Sequence, residues 1–362
     1  MGQIGVLVVD DSARMRHIIS SQLQTDTSIR VVGTARDGLD ALEKIRKLKP
    51  DVVTLDLDMP RVDGLAALSR AMAECPVPIV VMSTSTIEGA DGAIRALTLG
   101  AVDFVAKPSR PISTDIHKRN DELVIKVKQA ATARIGVTGL HAIPVSSDAP
   151  RKELVARPLS RGHKVVILGS SAGGVIALHR VIPSLPGSLD AAVVVVQHLP
   201  SGFTRSLANH LNDISQLWVR EAEPGDLLVP GQVLVAPGDF HMIVKINGRI
   251  ELNREPPVNQ ARPSVDVTLE SLATAYGESC IAVILAGGGT DGVQGARRIK
   301  AAGGYVIAQD SSTCVVCETP ERVIAERLAD KAVPLSNIAE EILQAVDAAV
   351  ASTRIRYTAT AH

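Results

Sequence analysis

Short aliphatic runs recur along this chain, and the segment between successive runs is usually long enough for one helix. Ile4–Val9, Val31–Ala35, Val52–Leu55, Ile79–Met82 and Val102–Val105 read as buried strands. Ser12–Leu23, Gly38–Leu48 and Gly89–Leu99 carry apolar residues at helical spacing, and a further helix is expected near Asp115–Ala133. A strict strand–helix alternation leaves parallel pairing as the simple solution, because each connection must cross back over the sheet. The first domain is therefore expected over residues 3–130 as a doubly wound, five-stranded parallel α/β fold. From 131 to 163 the pattern fails, with Gly136, Gly139, Pro144, Ser146, Ser147, Pro150, Pro158 and Gly162 among isolated apolar residues. That composition predicts a linker. Alternation resumes with Val165–Leu168, Ala192–Val196, Ile281–Leu285 and Tyr305–Ala308, defining a second α/β domain over 164–350. Inside it, Leu227–Val235 and Met242–Leu252, the latter containing Asn247-Gly248, read as antiparallel hairpins.

Composition narrows the functional classes. One Trp, three Tyr and three Phe in 362 residues leave the cores to Val, Ile, Leu and Ala and argue against base-stacking platforms. With 38 basic and 39 acidic side chains the net charge is -1, which argues against nucleic-acid or anionic-membrane binding. The longest apolar run, Ala191–Val196, falls far short of the ~18 residues of a membrane span. The opening residues lack a secretory pattern, so a cytoplasmic protein is expected. Cys75, Cys280, Cys314 and Cys317 suggest no disulfide framework, and Cys314-Val-Val-Cys317 reads as a pair of buried, inert thiols.

Two constellations carry chemistry. In the first half, Asp10 and Asp11 follow the first strand and Asp56 follows the third, while Ser83 and Lys107 end the fourth and fifth. In a doubly wound sheet these ends face one crevice. Clustered carboxylates repel one another unless a hard cation joins them, and Mg²⁺ takes a few carboxylates plus water. A hydroxyl and an ammonium group suit a phosphoryl oxygen. In the second half, Val165–Leu168 leads into Gly169-Ser170-Ser171-Ala172-Gly173-Gly174 and then a helical stretch. Strand, G-x-S-x-G and helix are the context of a nucleophile elbow. His198 and Asp291 also follow predicted strands and could serve as base and orienter. A rival set, Ser171 with His241 and Asp226 or Asp239, lies in the predicted hairpin region.

Asp10-Asp11, Leu55-Asp-Leu-Asp-Met-Pro-Arg-Val-Asp-Gly64, Ser83 and Lys107-Pro108 resemble the receiver domain of two-component response regulators, a flavodoxin-like fold. The resemblance implies that Asp56 accepts a phosphoryl group and that Asp10, Asp11, Asp56 and the carbonyl of Asp58 hold Mg²⁺. It further implies that Ser83 and Lys107 contact the phosphoryl group, that Phe104 occupies the switch-aromatic position, and that Lys107-Pro108 is cis. Gly169–Gly174, Val196-Gln-His-Leu-Pro-Ser-Gly-Phe-Thr204, Ala236-Pro-Gly-Asp-Phe-His-Met242, Arg262-Pro-Ser-Val-Asp266 and Leu285–Gly292 resemble the chemotaxis protein-glutamate methylesterases of the CheB type, whose catalytic domain is Rossmann-like.

That second resemblance implies a Ser171–His198–Asp291 triad with Ala172 and Gly288 at the oxyanion. The substrates would be methylated glutamates, and glutamine side chains, of methyl-accepting chemoreceptors. A chemotaxis histidine kinase would be the phosphoryl donor, and the esterase site would use no cofactor. Three departures stand out: Ala172 where the family usually has Thr, Ala286-Gly287-Gly288-Gly289 for Thr-Gly-Met-Gly, and Cys317-Glu318-Thr319-Pro320 where the family has Gly-Met-Pro. The glycine run predicts a more flexible loop. A phosphorylation-dependent scaffold with a weakened esterase site is the alternative expectation.

Overall fold

The computed structural model describes residues 2–59, 63–84, 86–107, 116–136, 159 and 163–347, with side chains in the helix opening at 116 described from residue 122. The chain divides into two compact units, residues 1–141 and 142–362.

In the first unit the elements run β1 (Ile4–Val9), α1 (Ala13–Leu23), β2 (Ile29–Ala35), α2 (Gly38–Leu48), β3 (Val52–Asp56), α3 (Gly64–Glu74), β4 (Ile79–Ser83), α4 (Ile87–Thr98), β5 (Asp103–Ala106) and α5 (Ile116–Ala131). The strands pair in the order β2-β1-β3-β4-β5, all parallel. Helix starts follow local chemistry: the Ser12, Asp37, Asp63 and Thr86 side chains each accept a backbone N–H from the first turn of the helix they precede. Strand order reverses between β1 and β3, so a crevice opens where Asp10 and Asp56 end their strands. The core beneath it includes Val6 to Val9, Leu55, Val80 and Val81, all buried. Pro108 lies outside the described residues, and with it the expectation of a cis bond after Lys107.

The second unit runs β6 (Lys164–Ser170), α6 (Gly174–Val181), β7 (Ala191–Gln197), α7 (Phe203–Ile214), β8 (Trp218–Glu221), β9 (Gln232–Val235), β10 (His241–Val244), β11 (Ile250–Asn253), α8 (Val265–Tyr276), β12 (Cys280–Ile284), α9 (Val293–Ala301), β13 (Tyr305–Gln309), α10 (Glu318–Ala325) and β14 (Lys331–Val333). Residues 338–347 are helical again. Seven strands form one parallel sheet, β14-β13-β12-β6-β7-β9-β8. Both faces are covered, which is why Val193, Val194, Val195 and Val196 are buried in succession without alternation.

One predicted hairpin is confirmed and the other is corrected. β10 and β11 pair antiparallel with Val244 opposite Ile250, and the Asn247-Gly248 turn has Gly248 at φ +76°. The run Leu227–Val235 is not a hairpin. Pro230 and Gly231 (φ +78°) break it, leaving Leu227 in a single antiparallel bridge to Arg249 while β9 inserts parallel between β7 and β8. Cys280, Cys314 and Cys317 are buried free thiols, and each donates to a backbone carbonyl.

Gly169, near the end of the central strand β6, is required by packing. A Cβ there would lie 2.4 Å from Val265 Cγ1, at the start of α8. The absent side chain lets the amino terminus of α8 approach the sheet edge. Gly169→Ala should therefore destabilise the second unit by about 1–3 kcal/mol through overpacking. Urea denaturation monitored at Trp218 would measure the shift.

Candidate active site

Three strand ends meet in the second unit. Ser171 follows β6 directly, and Gly173 at φ +75° allows the chain to turn sharply into α6. On one side, His198 follows β7, and its backbone N–H donates to the Ser170 carbonyl (3.2 Å). On the other side, Ser171 N–H donates to the carbonyl of Ala286, just past β12 (2.9 Å). The loop from β12 also carries Asp291, whose Oδ2 lies 2.7 Å from His198 Nε2. The histidine and the carboxylate thus come from strands flanking β6. Gln197, buried at the end of β7, fixes the elbow from beneath: it accepts from Ser170 Oγ (2.7 Å) and donates to the Ser171 carbonyl (2.9 Å).

Asp291 is 5% exposed and would be costly to ionise there without donors. Burial pushes its pKa up, but bonds from His198, Ser264 and Val265 outweigh burial and hold it below the ordinary carboxylate value. Oδ1 accepts from Ser264 Oγ (2.7 Å), Asn259 Nδ2 (3.1 Å) and Asp266 N–H (3.1 Å), and Oδ2 from Val265 N–H (2.7 Å) as well as His198. Two of these donors are first-turn amides of α8, so the partial positive charge of that helix end also favours the ion. An ionised carboxylate only accepts, so His198 Nε2 is the donor in this bond.

A second carboxylate completes an exchange between helices. Asp266, in the first turn of α8, accepts with Oδ1 from Gly292 N–H (2.9 Å) and Gly295 N–H (2.7 Å) at the start of α9, and with Oδ2 from Asn259 Nδ2 (2.8 Å). Asp291, just before α9, caps α8 in return. Neither Asn259 nor the pairing of Asp266 with Asp291 was assigned from the sequence. The signal lay in Arg262-Pro-Ser-Val-Asp266, where Ser264 is a ready N-cap followed by an acidic first turn.

The rival set is not assembled. Asp226 is ion-paired with Arg220 (2.6 Å), and His241 Nε2 lies 3.1 Å from the Pro256 carbonyl. The loop at 286–289 is also tied more firmly than its glycines predict. Ala286 N–H donates to Gln309 Oε1 (3.0 Å), and Gly287 N–H donates to the Val316 carbonyl (2.8 Å). These partners come from β13 and the approach to α10, distant in sequence and invisible to local composition. A Cβ on Gly287 would lie 3.2 Å from Ser171 Cβ, so the loop packs against the elbow. Ala172 is buried beside it.

In the first unit, Asp10, Asp11 and Asp56 place carboxylate oxygens within 4.8 Å of one another. Lys107 Nζ lies 2.5 Å from Asp56 Oδ1 and 3.5 Å from Asp10 Oδ2. Burial raises the pKa of Asp10, Lys107 opposes this and the Asp56 charge reinforces it. Asp10 Oδ2 and Asp56 Oδ2 are buried without a hydrogen bond, the longer Lys107 contact to Asp10 being an ion pair only. The Asp58 N–H donates to Asp56 Oδ1 (2.9 Å). Ser83 Oγ donates to the Gly89 carbonyl in α4 (2.6 Å). Phe104 is fully buried, with Lys126 Nζ 4.8 Å from its ring centroid.

One unit thus holds a receiver-type carboxylate cluster, and the other a serine elbow beside a half-buried histidine bonded to a buried aspartate. The CheB methylesterase family model matches residues 166–342, and the response regulator receiver domain model matches residues 6–117. A Symbiobacterium thermophilum protein named protein-glutamate methylesterase/protein-glutamine glutaminase is 50% identical over 351 residues, covering 95% of this chain and 97% of its own. A Thermotoga maritima protein of the same name is 43% identical over 346 residues, covering 95% of this chain and 98% of its own. The crystal structure of the Thermotoga maritima CheB methylesterase catalytic domain is 46% identical and matches with a TM-score of 0.50, over 51% of this chain and 99% of that one. The chain belongs to the CheB methylesterase family and carries a response regulator receiver domain.

Burial pushes the pKa of Asp266 up to about 6, with amides of Gly295 and Gly292 opposing and the Asp291 charge adding. The folded protein keeps this proton up to about pH 6, whereas the unfolded chain releases it near pH 4. The stabilisation is therefore full below pH 4 and is lost as pH rises to 6. Unfolding free energies of wild type and Asp266→Asn, compared between pH 4 and 6.5, should show the substitution becoming less costly as pH rises. A difference that is flat with pH would contradict the assignment.

Proposed function

We propose that the second unit hydrolyses glutamate γ-methyl esters on methyl-accepting chemoreceptors and deamidates receptor glutamine, under control of phosphorylation at Asp56. The observation that carries the reading is the His198–Asp291 bond (2.7 Å) spanning the strand ends beside Ser171. His198 Nδ1 takes the Ser171 hydroxyl proton as Oγ attacks the γ-carbonyl, and Asp291 stabilises the imidazolium. The tetrahedral oxyanion is met by main-chain N–H groups of Ala172 and Gly288, a role for which neither departure from the family pattern removes a donor. Imidazolium then returns the proton to the leaving methoxide, or to the leaving amine of a glutamine, releasing methanol or ammonia. Water attacks the acyl-enzyme, gives a proton to His198, and glutamate and Ser171 are restored.

In the receiver, Asp56 Oδ2 is the nucleophile toward a phosphoryl donor, in the cell a chemotaxis histidine kinase. The two buried carboxylate oxygens lacking hydrogen bonds fit a hard cation, so Asp10, Asp11, Asp56 and the carbonyl of Asp58 are assigned to Mg²⁺. When bound, Mg²⁺ supplies positive charge opposite the incoming phosphoryl oxygens. Lys107 supplies a second cation. Ser83 must exchange its bond to Gly89 for one to the phosphoryl group, which links the site to α4, while buried Phe104 fills the switch position. The linker's 131–163 span and a cytoplasmic setting complete the reading.

Methanol release from methylated receptor membranes should vanish in Ser171→Ala. Asp291→Asn should lower kcat by about 10³–10⁴-fold through loss of the tautomer. Asp56→Asn should keep basal turnover yet gain nothing from a small phosphodonor with Mg²⁺. A wild-type response in that variant would refute the switch.

A further inference from the structure

The glycine run 286–289 and Glu318 are separate oddities in the sequence, but the structure joins them. Main-chain groups of this loop can be accounted for one by one. Ala286 N–H goes to Gln309 and its carbonyl to Ser171 N–H; Gly287 N–H goes to the Val316 carbonyl and its carbonyl to Thr319 N–H (3.1 Å). Gly289 N–H donates to Glu318 Oε2 (2.8 Å), and its carbonyl accepts from Thr319 Oγ1 (3.2 Å). Among the described residues, neither the N–H nor the carbonyl of Gly288 has a protein hydrogen-bond partner. Both neighbours of Gly288 are therefore tied down, and its own donor is left for a ligand.

Packing cannot do this work at the outer end of the loop. A Cβ on Gly289, at φ +86°, would meet nothing within 4 Å, so that turn is held by hydrogen bonds from Glu318 and Thr319 rather than by packing around position 289. Gly287, in contrast, is wedged against Ser171 and Thr319. Three consecutive glycines lose more chain entropy on ordering than any other tripeptide. The opposing interaction on the amide following Gly288 is the Glu318 carboxylate, a charged acceptor that makes a stronger bond than a neutral one. Glu318 Oε1 is ion-paired with Arg322 (3.1 Å), one turn along α10, which offsets a negative charge close to where an oxyanion would form.

We infer that Glu318 is a positioning residue: by accepting the Gly289 amide it fixes the Gly288 N–H for the oxyanion beside Ser171. The inference deepens the proposed function and rests on its reading that Gly288 meets the oxyanion. Gln309, Val316 and the Thr319 main chain hold the inner part of the loop and Thr319 Oγ1 still holds the Gly289 carbonyl, so loss of Glu318 releases the Gly289 amide without unfolding the unit.

The full-length protein, with phosphodonor and methylated receptor membranes, provides the test, using Glu318→Ala, Glu318→Gln and Ser171→Ala. Glu318→Ala should lower kcat by about 10- to 100-fold with KM within twofold, because a displaced donor is felt in the transition state. Affinity for an alkyl boronic acid, which forms a tetrahedral anionic adduct with the serine, should fall by the same factor. Glu318→Gln keeps an acceptor and should recover most of the loss. Wild-type kcat in Glu318→Ala with an inactive Ser171→Ala would overturn the inference and leave the esterase reading standing. An effect on KM alone, or one that Gln fails to recover, would overturn it as well. Full activity in Ser171→Ala would instead remove the esterase reading itself.

Discussion

The buried carboxylate of Asp291 is the constraint around which the second unit is arranged. An ionised group at that depth costs several kcal/mol unless every lone pair is answered, and five donors converge on it. Meeting that demand brings the amino terminus of α8 over the end of β6, which in turn requires glycine at 169. It also sets the ring of His198, because one of the five donors is Nε2. The exchange is mutual: Asp266 caps α9 while Asp291 caps α8, and Asn259 bridges both acids. Two acids are thereby held near each other by helix ends, and burial first, with the Asp291 charge adding to it, raises the pKa of Asp266 to about 6.

The first unit solves a related problem differently. Its carboxylates also gather at the carboxyl ends of parallel strands, yet Asp10 and Asp56 each keep one buried oxygen without a hydrogen bond. Lys107 answers only part of the charge. The difference between the two sites is informative: the saturated acid holds the ring of a neighbouring histidine, whereas the under-satisfied acids fit the cation and the electrophile that the proposed function gives them. Burial alone does not separate these roles; the count of donors does.

Much of this was legible in the residues. Long apolar runs such as Val193–Val196 declare a buried parallel strand without help from context, and Asp10, Asp56, Lys107, Ser171, His198 and Asp291 all follow such runs. The failures are also specific. Leu227–Val235 is apolar enough for a hairpin, but Pro230-Gly231 splits it, and β9 takes its partners from strands far away in sequence. The glycine loop reads as flexible when only its own residues are considered. Its anchors, Gln309, Val316, Glu318 and Thr319, lie 23 or more residues from the loop residues they bond, and hydrogen bonds over that separation leave no local trace. Asn259 was missed for the same reason: a polar residue in a turn is ordinary until its amide is seen between two acids.

The loop at 286–289 has a consequence for how such a chain can drift. Where a donor is a peptide N–H, the side chain at that position is released from selection for chemistry, and on the proposed oxyanion reading this holds for positions 172 and 288. The burden then moves to residues that tie the loop in place, such as Glu318, Thr319 and Gln309. Innovation and constraint are then spatially inverted: the innermost residues of the site are the replaceable ones, and its scaffold is where substitutions must arrive in compatible pairs.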